Sequence, residues 1–130
     1  MRDLQVELGT GIVLVTHDLG VVAEIADHVA VMYAGRVVEA APVDDLFENP
    51  RHPYTRALMA SRIGFGRQPG TPLDAIGGTV PAPSARSAGC NFAPRCTMAS
   101  DKCASDPQLI RHGPRAVACH FSGLDGGDAA

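Results

Sequence analysis

A chain of 130 residues, 45% hydrophobic and 19% charged, can bury one core of its own. Its formal net charge of −3, with ten arginines scattered rather than striped, leaves no electrostatic footprint for DNA or RNA, so no nucleic-acid partner is expected. No apolar run reaches the length that spans a bilayer, and the opening MRDLQVELGTG lacks the apolar centre of a signal peptide, so a cytosolic chain is expected unless a partner carries it elsewhere.

Leu4 and Leu8 before Gly9 predict the end of a helix whose glycine takes the left-handed backbone. Ile12, Val13, Leu14 and Val15 then run without polar alternation, which predicts a strand covered on both faces, as in a parallel sheet between helices. The run ends at Thr16, His17 and Asp18. Asp18 is placed to cap a helix on which Leu19, Val22, Ala23 and Ala26 recur at helical spacing. In open α/β sheets ligands bind beyond the carboxyl ends of strands, where His17 would project. On spacing alone the plainer reading of His17 is a satisfied structural residue. Two β-rich runs, His28–Ala34 and Arg36–Ala40, meet at the tight turn Ala34-Gly35 and predict a hairpin.

Pro42 opens a short helix with Asp44 and Asp45 in its first turn, where negative charge suits the dipole, and Asn49-Pro50 closes it. Pro53 suits the first position of another helix, along which Tyr54, Leu58 and Ser61 or Ala57 form a packing stripe. His52 and Tyr54 read as anchors of this linker. Residues 62–130 hold most of the prolines and glycines and all four cysteines, with few apolar runs, so this segment needs a staple other than a large core. The ending GLDGGDAA reads as frayed.

Cys90, Cys96, Cys103 and Cys119 are separated by five, six and fifteen residues. In a cytosolic protein such a set binds metal more often than it forms disulfides. The tight Cys-x2–4-Cys knuckles usual for zinc are missing, and neither standard ferredoxin spacing fits. Iron–sulfur, zinc and free or paired thiols all stay open on spacing alone. His112 and His120 are possible substitute ligands, and Arg95, Lys102 and Arg115 are cations that could lie near an anionic cluster.

Residues 10–40, TGIVLVTHDLGVVAEIADHVAVMYAGRVVEA, resemble the closing part of an ABC-type ATP-binding cassette. The resemblance implies that His17 is the catalytic, nucleotide-binding histidine that contacts the γ-phosphate of ATP and helps hold the attacking water, across an interface with a second cassette. Imidazole suits this role, because one ring nitrogen can donate to phosphate while a neighbour orients the other. The only lysine, Lys102, lies between Asp101 and Cys103, so the chain carries no Gly-Lys phosphate loop. Nor does it carry a paired Asp-Glu after an apolar strand or a Ser-Gly-Gly signature. Met1 is therefore expected to start inside a longer frame, and the chain alone is expected neither to bind ATP tightly nor to hydrolyse it, since phosphoryl transfer needs lysine, magnesium and amides together.

ENPRHPYTRALMAS, followed by GGTVPAP and NFAPRC, resembles the C-terminal extension of ATP-binding subunits of oligopeptide and dipeptide importers. Thr97 departs from the proline usual after that cysteine. The resemblance implies a [4Fe-4S] cluster on Cys90, Cys96, Cys103 and Cys119. Zn2+ is the second choice, and the expected role is structural, tying a tail without a large core onto the cassette, rather than electron transfer. The resemblance also implies ATP and Mg2+ in the complete cassette, a second ABC ATPase subunit, membrane permease subunits and, indirectly, a peptide-binding protein as partners, at the cytoplasmic face of the membrane. The expected fold is α/β, the C-terminal fragment of a P-loop ABC ATPase cassette followed by a small irregular, cysteine-stapled extension. Its expected parts are a cassette remnant at 1–41, connecting helices at 42–62, the four-cysteine extension at 63–121 and a disordered tail at 122–130. The rival reading is a free-standing iron–sulfur or zinc module without a transport role.

Overall fold

The computed structural model describes residues 7–61 and 76–123. Gly9 takes φ +59° after the helical residues Glu7 and Leu8, as a terminating glycine should. Leu4, the segment 62–75 and the tail from 124 lie outside the described residues.

The run Ile12–Val15 corrects the sequence expectation. It joins no strand, and Val13 and Val15 are each 93% exposed. A parallel strand is held by ladders from its neighbours and covered by helices. Among the described residues no strand pairs with this run, so its apolar side chains stay in solvent. The turn and helix that follow form as the sequence predicts. Helix α1, Leu19–Ile25, opens on Asp18, whose Oδ1 accepts from the amides of Gly20 at 2.8 Å and Val21 at 3.2 Å. Leu19, Val22, Ile25 and Ala26 are half-buried, Ala23 is exposed, and no residue of α1 is fully buried.

Strands β1, His28–Tyr33, and β2, Arg36–Pro42, form the predicted hairpin. Ala34 and Gly35 take φ +47° and +77°, the left-handed backbone at both loop positions that matches the twist of the strands. Val31 pairs with Glu39 and Met32 with Val37, so Val38 is an extra residue that bulges β2. The bulge frees the Val38 carbonyl to accept from the Ala118 amide at 2.9 Å. A second hairpin, β3 at Ile110–His112 and β4 at Arg115–Val117, docks through Glu39↔Val117 and Ala40↔Ala116. The sheet is antiparallel throughout, in the order β1-β2-β4-β3. Two of its strands come from residues 28–42 and two from 110–117, so the hairpin and the cysteine-bearing segment share one sheet.

Helix α2, Val43–Glu48, starts after Pro42 with Asp44 and Asp45 in its first turn, and the Asn49 amide closes it on the Asp45 carbonyl. Helix α3, Pro53–Ala60, has proline at its first position and His52 as cap, with Nδ1 accepting from the Tyr54 amide at 3.0 Å. Buried Thr55 and half-buried Tyr54, Leu58 and Met59 make its inner face. The core joins Val31, Tyr33, Val38, Ala41 and Leu46 to Phe92, which comes from the cysteine-bearing segment. Phe92 lies edge-on to Tyr33 and Tyr54, with ring centroids at 5.2 and 5.4 Å.

Candidate functional site

Four loops and turns carry the cysteines to one place. Cys90 starts a turn closed by the Ala93 amide on its carbonyl, and the turn leads into a 3-10 segment at Ala93–Arg95. Cys96 follows that segment. Cys103 sits inside a second 3-10 turn, Asp101–Ala104, capped by Ser100, whose hydroxyl accepts from the Lys102 amide. Cys119 comes two residues after β4. All four thiols are free, and all four line a cavity of about 10 Å³, room for a single water-sized occupant, together with His52, Phe92, Pro107, His120 and Phe121.

Amides converge on the sulfurs. Met98 N–H donates to Cys96 Sγ and Phe121 N–H to Cys119 Sγ, each at 3.4 Å. The amides of Phe92 and Ala93 bond Cys90. Such bonds favour a charged thiolate over a neutral thiol. Against them, burial pushes the Cys90 and Cys119 thiols up, and the neighbouring cysteines add to the rise. A bound cation would reverse that balance. The donor set thus fits a thiolate-bound metal: four thiols on one cavity, three of them met by amides. As the side chains stand, however, no three His, Cys, Asp or Glu groups among the described residues are arranged to hold an ion.

Gly89 sets the closest approach in this site. A Cβ there would lie 2.4 Å from the Cys103 carbonyl oxygen and 2.6 Å from that of Ala104, so only glycine lets the 89–90 backbone press against the 103–104 turn. The Cys90 amide bonds that same Cys103 carbonyl at 2.9 Å.

The predicted cations divide. Arg115 turns away to Glu39 at 3.0 Å and to the carbonyls of Asn49 and Asp45. Arg95 bonds the carbonyls of Gly77 and Ile76 and the Tyr33 hydroxyl. Lys102 Nζ stands 5.8 Å from the centroid of Phe121, a wall of the cysteine cavity. His120 lines that cavity, with Nε2 3.1 Å from the Ser105 carbonyl, whereas His112 belongs to β3 and is not part of the lining.

Sequence reasoning missed the residue that ties this segment down. Glu39 is fully buried, accepts from the amides of Arg51 and His52 at 2.9 Å each, and pairs with Arg115. The signal present in the sequence was a lone carboxylate inside the apolar run VVEAA. A second cavity, of about 300 Å³, lies beside the cysteines and shares His52, Cys90, Phe92 and Pro107 with theirs. Arg36 and Asp106, paired with each other, also line it.

His17 stands elsewhere. It is exposed on the bend before α1 and lines neither cavity, so the structure does not bring it together with the cysteines. It also lies at no strand end, because residues 12–15 form no strand.

The family model described as oligopeptide/dipeptide transporter, C-terminal region, matches residues 38–103, which include most of β2, Glu39, Gly89 and three of the four cysteines. The chain belongs to this family. Relatives of the oligopeptide/dipeptide transporter family extend the likeness to nearly the whole chain. The oligopeptide transport ATP-binding protein AppD of Bacillus subtilis is 48% identical over 130 residues, covering 98% of the chain and 39% of that protein. A provisionally named peptide import ATP-binding protein of Brucella ovis is 47% identical over 127 residues, covering 90% of the chain and 38% of that protein. Another, of Brucella abortus, is 44% identical over 120 residues. The chain thus spans under two fifths of the length of the first two relatives. These comparisons lend no support to the rival reading of a free-standing metal module.

Proposed function

We propose that this chain is the C-terminal part of the ATP-binding subunit of an importer of oligopeptides or dipeptides. The likeness to AppD over 98% of the chain carries this reading. In the complete subunit, ATP and Mg2+ are held by a cassette, and closure against a second cassette drives membrane permease subunits fed by a peptide-binding protein. The subunit sits at the cytoplasmic face of the membrane as a peripheral protein. Among the described residues no helix is long and apolar enough to cross it.

Within that assembly His17 contacts the γ-phosphate and helps position the attacking water. Its support is an imidazole left exposed at the start of a capped helix, available to a partner surface. Cys90, Cys96, Cys103 and Cys119 are the metal ligands. An iron–sulfur cluster is the first assignment, because the cysteines lack zinc knuckles and four thiols converge. The small size of the cavity favours the runner-up, a single zinc. A bound metal centre would supply thiolate bonds where the segment lacks a large core. The protein's own part is to present the thiols, direct the Met98 and Phe121 amides at sulfur, and seal the site with Phe92 and Phe121.

The test uses the full-length subunit assembled with its permease. His17→Ala should lower peptide-stimulated ATP hydrolysis by roughly 100-fold or more while ATP still binds. Undiminished turnover would remove His17 from the nucleotide site. Failure of the assembled wild type to take up any labelled peptide would overturn the importer reading. Metal analysis after anaerobic purification separates iron with acid-labile sulfide from zinc, and a metal-free protein would overturn both assignments.

A further inference from the structure

The four thiols are not equivalent in how the backbone brings them together. Cys90 and Cys103 are joined directly by the 2.9 Å amide-to-carbonyl bond between them. The missing side chain at Gly89 allows that approach, since a Cβ would strike the Cys103 carbonyl. One backbone hydrogen bond between two residues holds their Cα atoms within the 4.4–6.8 Å separation, in round terms, that a disulfide needs. Among the described residues Cys96 and Cys119 lack such a tie to another cysteine. Cys90 also lines the larger, open cavity of about 300 Å³, which gives a small oxidant a route to it.

We propose that the four-cysteine site is redox-gated, with Cys90 and Cys103 as the thiols that pair when no metal is held. Two thiols form one S–S bond, releasing two protons and passing two electrons to a peroxide, which is reduced to two waters. Pairing removes two of four ligands, so the oxidised chain no longer takes up metal until a dithiol reductant restores it. The pairing stands on backbone geometry alone. The gating consequence rests on the metal-site reading given above.

The sequence makes the test clean, because cleavage after Arg86, Arg95, Lys102, Arg111 and Arg115 puts each cysteine in its own tryptic peptide. The chain is stripped of metal under reducing conditions, treated with hydrogen peroxide and mapped by mass spectrometry without reduction. The dominant cross-link should join peptide 87–95 to peptide 103–111. Uptake of added Fe2+ with sulfide, and of Zn2+, should fall at least tenfold and return with dithiothreitol. A dominant link from Cys90 to Cys96 or Cys119, or four thiols that stay free to alkylation, would overturn the pairing. Unchanged uptake by the cross-linked chain would overturn the gate. If the reduced chain takes up no metal while the 90–103 link forms, the metal reading alone fails. Cys96→Ser with Cys119→Ser should still form the link, which keeps the pairing testable if a Cys90 variant does not fold.

Discussion

Gly89 and His52 each meet a constraint that only their neighbours define. Gly89→Ala would set a Cβ 2.4 Å from a backbone carbonyl, a contact that no side-chain rotation relieves. We expect the substitution to cost about 1–3 kcal/mol in urea unfolding and, on the proposed metal assignment, to weaken metal retention, because the Cys90 and Cys103 segments must separate. His52 is 1% exposed, and burial lowers its pKa from 6.5 to about 4, against the opposing effect of its backbone hydrogen bond with Ala118. The folded chain therefore keeps the ring neutral where the unfolded chain takes up a proton. The stability from this ring is complete above about pH 6.5 and is lost as pH falls toward the folded value, roughly 3 kcal/mol across the window. Protonation would also point an N–H at the Tyr54 amide that Nδ1 now accepts. Urea midpoints measured between pH 7 and pH 4.5 should drop in the wild type and flatten in His52→Gln.

At the level of elements, one ion pair and one turn decide how the pieces join. Glu39 on β2 collects Arg115 from β4 and the amides ahead of α3, while Arg115 also reaches the carbonyls at the end of α2. Arg115→Met would leave a buried carboxylate without its cation. The expected loss is about 3–5 kcal/mol, read by denaturation, and the double change with Glu39→Gln should cost less than the two single changes added together. The hairpin turn offers the opposite sign. Ala34 holds φ +47°, where a Cβ is unfavourable, so Ala34→Gly should raise stability by about 0.5–1 kcal/mol in the same assay. Helix α1 contributes little here, since its capped start fixes its direction but no residue on it is fully buried.

Across the whole molecule, the chain holds together by sharing a sheet and a core between its two halves. Phe92 completes a three-ring cluster with Tyr33 and Tyr54, and β4 extends the β1-β2 hairpin. On the proposed metal assignment, removing the metal should therefore speed hydrogen exchange around 89–104 and 118–121 while the β1-β2 hairpin keeps its protection. The chain alone should show no magnesium-dependent ATPase, because its single lysine stands in the sequence Asp101-Lys102-Cys103 and no Gly-Lys loop exists to cradle phosphates.

Local chemistry was legible in the letters. Asp18 caps its helix, Ala34-Gly35 turns its hairpin, Pro42 and Pro53 start their helices, and Gly9 ends one, because each depends on a few adjacent residues. The string from Glu48 through Cys96 likewise carried the family. Long-range partners were not legible. Ile12–Val15 has the composition of a buried strand, yet burial needs neighbours, and among the described residues none pairs with it. That Glu39 meets Arg115, that Phe92 enters the core, and that the Cys90 amide bonds the Cys103 carbonyl follow from β4 docking on β2 and from a backbone approach only glycine permits. The sequence by itself determined the caps, turns and donor types, since these act over a few bonds. Only the tertiary structure decided which donors meet, because that depends on packing between residues far apart along the chain.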